Sequence, residues 1–192
     1  SRGLGDVYKR QPIGVEGGKT STCPTQNLME AYDMKDGTPF VWNNQSNPYD
    51  NRDPRMKYTI VCNEMKWPVA PVEIWEGGTN GLPLQNATTT GYYLKKYVNN
   101  TISFEAGSTV TKKQHNWVLF RYGEILLNYA EAMINAFHDP NYKDAVYNMS
   151  AREAVNQIRG RTNISLPGFP SDITEKDFVK RLKNERRVEL AF

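Results

Sequence analysis

The segment "NWVLFRYGEILLNYAEAMINAF" (116–137) constrains the fold most strongly, because its apolar residues recur at helical spacing. Intervals of three and four residues predict one long amphipathic helix with a single buried face. The helix is expected to end before Pro140, which cannot continue it. The residues expected on its buried face are Val118, Tyr122, Ile125, Tyr129 and Met133, widened by Leu119, Leu126 and Ala130.

Two further helices are predicted from their start signals. Ser150 is followed three positions later by Glu153, which is the pattern of a capping box. Thr174 precedes Asp177 at the same spacing and is the predicted N-cap of the third helix. The helical pattern then continues into the final residues, "ERRVELAF". We therefore interpret 116–192 as a helical part of the protein that is truncated at its end.

A polar stripe follows one side of the first predicted helix. One interpretation is a solvated face, since exposed pairs at this spacing are common. The other is a face that packs against neighbouring helices. Charges on such a face must be paired, because leaving a buried ion without its partner costs about 3–5 kcal/mol. In that case the charges fix how the helices stack and have no catalytic role. The stripe consists of Arg121, Glu124, Asn128 and Glu131, and the available counter-charges are Arg159, Arg161, Arg186 and Arg187.

Residues 12–115 are rich in Gly, Pro, Asn and Thr, which predicts a loop-rich region. The segments "KYTIVC" (57–62) and "GYYLKKYV" (91–98) are predicted to be short strands, because they are β-branched and aromatic. Asp53 is placed to cap a short helix that has Pro54 at its first position. Long irregular segments inside a compact domain are usually functional surface, so this region is the predicted ligand side.

Residues 1–11, "SRGLGDVYKRQ", share no pattern with the chain that follows. The segment resembles a translated adaptor sequence, and we interpret it as a non-native leader. A simple polar tail is the alternative. On either interpretation we expect no function from it.

The composition argues against several classes of function. The net charge is only +3, with both signs well mixed, which does not suggest a nucleic-acid surface. Cys23 and Cys62 lie far apart, and neither His115 nor His138 has metal-ligand spacing, so we expect no metal site. No apolar run is long enough to span a bilayer. Nucleotide-binding and hydrolase motifs are not found, and we expect no cofactor.

Several motifs in order resemble the SusD/RagB family. The helical part contains "FRYGEILLNYAEA", "AVNQIRGRTN" and "NERRVELAF", and the loop-rich part contains "PTQNLMEAYDMKDGTPF", "YDNRDPRM" and "GYYLKKY". The resemblance covers residues 23–192. Separate motifs in the family's order make it far more specific than any single motif.

The resemblance implies a mainly α fold with tetratricopeptide-like helix pairs and a loop-rich ligand surface. It also implies a lipoprotein on the outer face of a Gram-negative outer membrane. Such proteins cap a TonB-dependent β-barrel transporter and deliver oligosaccharides, or in some members peptides, without being enzymes. The signal peptide, the lipid-anchored cysteine and the flanking segments typical of the family are not in this sequence. On this resemblance the chain is therefore a fragment, about a third to a half of the intact protein.

Aromatic and amide side chains of the loop-rich region are the candidate ligand contacts. Rings of Trp and Tyr stack on sugar faces, and Asn binds hydroxyl groups. The alternative is that each ring pins a loop onto the scaffold, which is the favoured role for any single one of them. Given the resemblance, we expect at least one to contact ligand. The candidates are Trp42, Asn43, Asn44, Tyr49, Trp67 and Trp75.

Two other functions remain open from the sequence. The helices would suit a scaffold that binds a protein or peptide, although the loop-rich region would then have no role. A glycoside hydrolase would need two carboxylates about 5–10 Å apart, one of them with a raised pKa. The clear carboxylates lie instead in predicted caps and in the polar stripe.

Overall fold

The computed structural model describes most of the chain, and its residues divide into two compact units. The first unit comprises Ser1–Glu30 and Met56–Trp117, and the second comprises Ala31–Arg55 and Val118–Phe192. The described residues are 12–14, 18–42, 47–67, 70–98 and 118–192.

The described part of the chain is mainly α-helical with two very short strands, which confirms the predicted fold class. Within the described part of the chain, no helix combines the length and apolar character needed to cross a membrane. In chain order the elements are α1 (Gln26–Ala31), α2 (Pro54–Thr59), β1 (Ile60–Val61), β2 (Tyr93–Leu94), α3 (Tyr122–Phe137), α4 (Ala151–Arg159) and α5 (Glu175–Glu189).

The predicted helix starts are confirmed wherever a capping signal marked them. The Ser150 side chain accepts a hydrogen bond from the Glu153 N–H, and Glu153 accepts from the Ser150 N–H, which completes the capping box. Thr174 accepts from the Asp177 N–H at 3.2 Å at the start of α5. Asp53 likewise accepts from the N–H of Arg55, the second residue of α2, at 2.9 Å. These contacts span only two or three residues, so the local sequence determines them.

The predicted start of the first long helix is wrong, and its predicted buried face is confirmed only in part, because Leu126, Ala130 and Met133 are buried as predicted. Helix α3 begins at Tyr122, and the preceding Leu119 and Phe120 are 74% and 77% exposed. Tyr122 and Ile125 are also exposed. Helical spacing is compatible with several adjacent apolar positions on this segment, and the core shared with α4 and α5 takes in Leu127 and Ile134 in place of Tyr122 and Ile125. The buried residues of α3 are Leu126, Leu127, Ala130, Met133 and Ile134.

The core of the second unit is formed by apolar side chains from α3, α4 and α5. Phe178 is fully buried, and its ring meets that of Phe169 edge-on with centroids 5.9 Å apart. Helix α5 ends at Glu189 with Leu190 as its C-cap, so the helix does not continue to the end of the chain as its pattern predicted.

The first unit contains a small antiparallel sheet in which Ile60 pairs with Leu94 and Val61 with Tyr93. Both strands are much shorter than predicted. Helical backbone extends through Thr59, and residues 95–98 form a turn closed by a hydrogen bond from the Val98 N–H to the Lys95 carbonyl. The core of this unit consists of Ile13, Val61, Trp67, Val72, Ile74, Ala87 and Tyr93.

Candidate functional site

A network of buried charges lies at the centre of the second unit. Glu189 forms ion pairs with three arginines, and its side chain is only 1% exposed. It accepts hydrogen bonds from Arg161 at 2.8 and 2.9 Å, from Arg55 at 3.0 Å and from Arg121 at 3.0 Å. Burial by itself raises the pKa of Glu189, but the hydrogen bonds from Arg161 and Arg55 outweigh it and hold that pKa below its ordinary value.

Glu185, one helical turn earlier, extends the network to α4. It forms ion pairs with Arg55 and with Arg159, the latter at 2.7 Å. Arg159 is 1% exposed and also contacts Asp33 at 3.2 Å. Burial raises the pKa of Asp33, although Arg159 and Arg181 partly lower it. Because each buried charge has an oppositely charged partner, the network satisfies the condition under which buried ions are tolerated.

The polar stripe predicted on the first long helix contributes one residue to this buried network, and the rest of it lies at or near the surface. Arg121 contacts Glu189 on α5, while Glu131 is exposed and lies 3.9 Å from Arg186. Arg186 donates to the amide oxygen of Asn128 at 2.7 Å. Glu124 is half-buried and has no ion pair within the described part of the chain. Among the predicted counter-charges, Arg159 and Arg161 contact glutamates of α5 rather than those of α3.

The network also anchors the segment 31–55, which carries two of the candidate aromatic residues. The Asn184 side chain donates to the Ala31 carbonyl at 2.7 Å, and Arg181 donates to the Gly37 carbonyl at 3.0 Å. Arg55, at the end of the segment, is held by Asp53, Glu185 and Glu189. The segment is therefore held on α5 at Ala31, at Gly37 and at Arg55.

Trp42 is presented at the surface by a short chain of contacts within this segment. The buried Arg52 donates to the carbonyls of Pro48 and Tyr32, each at 2.7 Å. Its guanidinium lies 3.7 Å from the ring centre of Phe40. The Phe40 ring in turn meets Trp42 edge-on at 5.1 Å, and Trp42 is 52% exposed. The Trp42 ring is thus held in place by Phe40, which itself packs on Arg52, and it remains accessible to ligand.

The neighbouring candidates of the same segment differ from Trp42. Tyr49 is half-buried, and its N–H donates to the Asn47 side chain at 2.9 Å in a local turn. Asn43 and Asn44 lie outside the described residues. In the second unit, Trp42 is therefore the candidate whose exposed ring best fits stacking on a sugar.

Trp75 is presented by a separate, internally bonded loop of the first unit. It is 48% exposed. The loop is closed by hydrogen bonds from the Gly78 N–H to the Trp75 carbonyl at 2.9 Å and from the Asn80 N–H to the Glu73 carbonyl at 2.9 Å. A Cβ on Gly81 would overlap the backbone oxygens of Trp75 and Ile74, so a glycine is required for this close approach.

Trp67 belongs to the core of the first unit, unlike the other candidate tryptophans. It is 8% exposed, and its indole N–H has no hydrogen-bond acceptor among the described residues. Its ring is too enclosed to be an open stacking platform. It nevertheless lines a cleft of about 530 Å³, together with Tyr58, Lys66, Lys95, Lys96, Tyr97 and Val98.

The sequence did not identify this cleft because its residues come from three separated segments. The antiparallel pairing of β1 and β2 brings Tyr58 beside the turn at 95–98, where the Lys95 N–H donates to the Thr59 carbonyl at 2.9 Å. Lys66 and Trp67 reach the cleft from a second turn, in which the Trp67 N–H donates to the Ala70 carbonyl at 2.8 Å. The adjacent residues Lys95, Lys96 and Tyr97 were the one local indication of a charged, aromatic site. They were not recognised because the segment that contains them was predicted to be a strand.

The described residues contain no group of three or more His, Cys, Asp or Glu side chains that could hold a metal ion. The carboxylates of the buried network are instead held by arginines. Their arrangement stabilises the helices and the 31–55 segment.

Comparisons with known proteins agree with this architecture. The sequence model of the SusD family matches residues 5–192. A SusD-like carbohydrate binding protein from Bacteroides fragilis NCTC 9343 superposes with a TM-score of 0.75 over 97% of this chain, at 26% sequence identity. A second SusD-like protein from the same organism gives a TM-score of 0.70 over 92% of this chain, also at 26% identity.

The chain spans 36% and 35% of the length of these two solved structures. The comparison with curated proteins found no match. A family match over nearly the whole sequence, together with the structural similarity, establishes that this chain belongs to the SusD family.

Proposed function

We propose that the protein binds oligosaccharides at the cell surface, without chemically altering them, and delivers them to a TonB-dependent β-barrel transporter. The observation that carries the proposal is the family match over residues 5–192. A structural relative described as a carbohydrate binding protein supports the choice of ligand class. The corresponding location is the outer face of a Gram-negative outer membrane, with attachment through a lipid anchor.

The exposed aromatic rings support the ligand class independently of the family. Trp42 and Trp75 are each about half exposed and are held on bonded loops. A rigid exposed indole presents an apolar face at low entropic cost, which suits the apolar face of a sugar ring. Polar groups around such a ring then bind the hydroxyls.

The state of the buried carboxylates supports binding without catalysis. Asp33, Glu185 and Glu189 are all paired with arginines, and burial places Glu185 and Glu189 away from solvent. A glycoside hydrolase would require a carboxylate pair that reaches the glycosidic bond. The appearance of new reducing ends on incubating oligosaccharides with the purified protein would contradict this part of the proposal.

Replacing the exposed indole tests the binding role of Trp42. We expect Trp42→Ala to weaken oligosaccharide binding about tenfold, because a well-placed aromatic contact commonly contributes more than 1 kcal/mol. Isothermal titration calorimetry with the ligand found by glycan screening measures the change. The circular dichroism spectrum should be unchanged.

Tyr122→Ala is the matched control, because Tyr122 is an exposed aromatic of the same unit outside the 31–55 segment. Its affinity for glycan should equal that of the unmodified protein. Unchanged affinity in Trp42→Ala would remove Trp42 from the binding site. Survival of binding in both Trp42→Ala and Trp75→Ala would favour the alternative of a helical scaffold for a protein or peptide.

Delivery to a transporter is tested in cells. Deleting the gene of the partner barrel should abolish growth on the bound glycan while leaving glycan capture at the cell surface intact. Normal growth after the deletion would contradict the transport step. This result would leave the binding step standing, because the two steps are measured separately.

A further inference from the structure

The cleft lined by Trp67 combines positive charge with exposed aromatic rings. Lys66, Lys95 and Lys96 all line it, and none of the described residues that line it is a carboxylate. Tyr58 and Tyr97 border it with rings that are 57% and 41% exposed. Its volume of about 530 Å³ lies within the range of small-ligand sites, about 300–1,000 Å³.

Two of the three lysines have no counter-charge within the described part of the chain. Neither Lys66 nor Lys95 forms an ion pair there, whereas every arginine of the buried network contacts a carboxylate. The buried arginines of the second unit are thus paired with carboxylates, whereas Lys66 and Lys95 line a cleft without an ion pair among the described residues. Like charges gathered in one cleft attract an anion from solution.

The aromatic residues position the lysines as well as offering sugar-binding faces. The Lys95 ammonium lies 5.5 Å from the Trp67 ring centre, and that of Lys96 lies 5.4 Å from the Tyr97 ring centre. Such cation–π contacts restrain long side chains without neutralising them. Burial lowers the pKa of Lys95, Cys62 partly opposes that shift and Lys57 adds to it, so a bound anion would favour the charged form of Lys95.

We propose that this cleft binds the anionic group of an acidic oligosaccharide, with the lysines contacting the charge and the exposed tyrosine rings contacting the sugar. The shared chemistry is a carboxylate or sulfate ester carried on a sugar ring. This inference rests on the proposed function and narrows it from oligosaccharides in general to negatively charged ones. It assigns the discrimination between charged and neutral sugars to Lys66 and Lys95.

The experiment compares three probes by isothermal titration calorimetry. These are a hexamer of galacturonic acid, which carries carboxylates, a sulfated galactan hexamer, which carries only sulfates, and neutral maltohexaose. We expect at least one acidic probe to bind about tenfold more tightly than the neutral probe. We also expect its affinity to fall between 50 and 500 mM salt, because mobile ions screen exposed charges. Tighter binding of the galacturonic acid hexamer would indicate that the cleft takes a carboxylate, and tighter binding of the galactan hexamer would indicate a sulfate ester.

The variant Lys66→Gln/Lys95→Gln removes two charges from the cleft. We expect its preference for the acidic probe over the neutral probe to decrease about tenfold, since hydrogen bonds to charged groups are stronger than neutral ones. Lys176→Gln/Lys183→Gln removes the same total charge from exposed positions of α5 and should leave the preference unchanged. If the double variant fails to fold, Lys66→Glu, a single change at an exposed position, takes its place. Its preference for the acidic probe over the neutral probe should also decrease.

The outcomes separate this inference from the function on which it rests. Equal affinity for acidic and neutral probes, or an unchanged preference in the lysine variants, would overturn the assignment of the cleft. If neutral glycan still bound through Trp42 in that case, the proposed function would stand. Failure of every glycan to bind would overturn both.

Discussion

We expect Glu189→Ala to lower the free energy of unfolding by about 3–5 kcal/mol, the cost of breaking a buried ion pair by removing one partner. The Glu189 side chain is buried and contacts Arg55, Arg121 and Arg161. Its removal takes one carboxylate from the buried Arg55 and leaves Arg121 and Arg161 without an ion-pair partner among the described residues. Urea unfolding followed by circular dichroism measures the change.

Glu131→Ala is the control, because it makes the same chemical change at an exposed position. The Glu131 side chain is 57% exposed and lies 3.9 Å from Arg186. Exposed pairs of this kind contribute about 0–1 kcal/mol. Equal stability losses in the two variants would contradict the distinction between a buried network and a solvated part of the stripe.

The stabilising effect of Glu189 also depends on pH, with a sign that follows from its pKa. Its folded-state pKa lies below the ordinary value of 4.5, so the folded state favours the charged form. Its contribution is therefore complete above about that value and is lost as the pH falls through the lower, folded-state pKa. Asp33 acts in the opposite direction, because burial raises its pKa and protonation favours the folded state. The stability difference between the unmodified protein and Glu189→Gln should accordingly shrink in acid.

We expect Phe178→Ala to destabilise the protein by about 3–5 kcal/mol through loss of buried apolar surface and the cavity left behind. Phe178 is 0% exposed and packs edge-on against Phe169 in the core shared by α3, α4 and α5. Interiors are close-packed, so neighbouring side chains can fill only part of the vacated volume. The expected result is a lower melting temperature, measured by thermal unfolding.

Phe120→Ala provides the matched control for that experiment. Phe120 is 77% exposed in the stretch that precedes α3, and truncating it opens no cavity. Its effect should stay within about 0.5 kcal/mol, as for most surface substitutions. A large loss of stability in Phe120→Ala together with a small loss in Phe178→Ala would contradict this assignment of the core of the second unit.

The buried network links stability to the proposed binding surface. Asp33 and Arg55 belong to the segment that carries Trp42, and both contact charged side chains of α4 or α5. The backbone of the same segment accepts hydrogen bonds from Asn184 and Arg181 of α5. These contacts hold Asp33, Gly37 and Arg55 of an otherwise irregular segment against α4 and α5, and such restraint reduces the entropy lost when an aromatic ring of the segment binds a ligand.

The sequence by itself determined the features whose causes lie within a few residues. Ser150 and Glu153 determine the start of α4, and Thr174 determines that of α5, because a cap forms between neighbours three positions apart. The family was likewise identifiable, since its motifs are contiguous segments in a fixed order. The mainly α fold follows from these two kinds of signal.

The tertiary structure decided which faces are buried and which charges meet. Periodicity predicts a stripe on α3 but does not select among adjacent stripes, so Tyr122 and Ile125 were placed in the core although they are exposed. Arg159 meets Asp33 across 126 positions, and Arg55 meets Glu185 across 130. The burial of Trp67, and the cleft that it lines together with three lysines, were likewise not predictable from local sequence. All depend on distant segments coming together, and the free energy of that packing is not encoded in any local pattern.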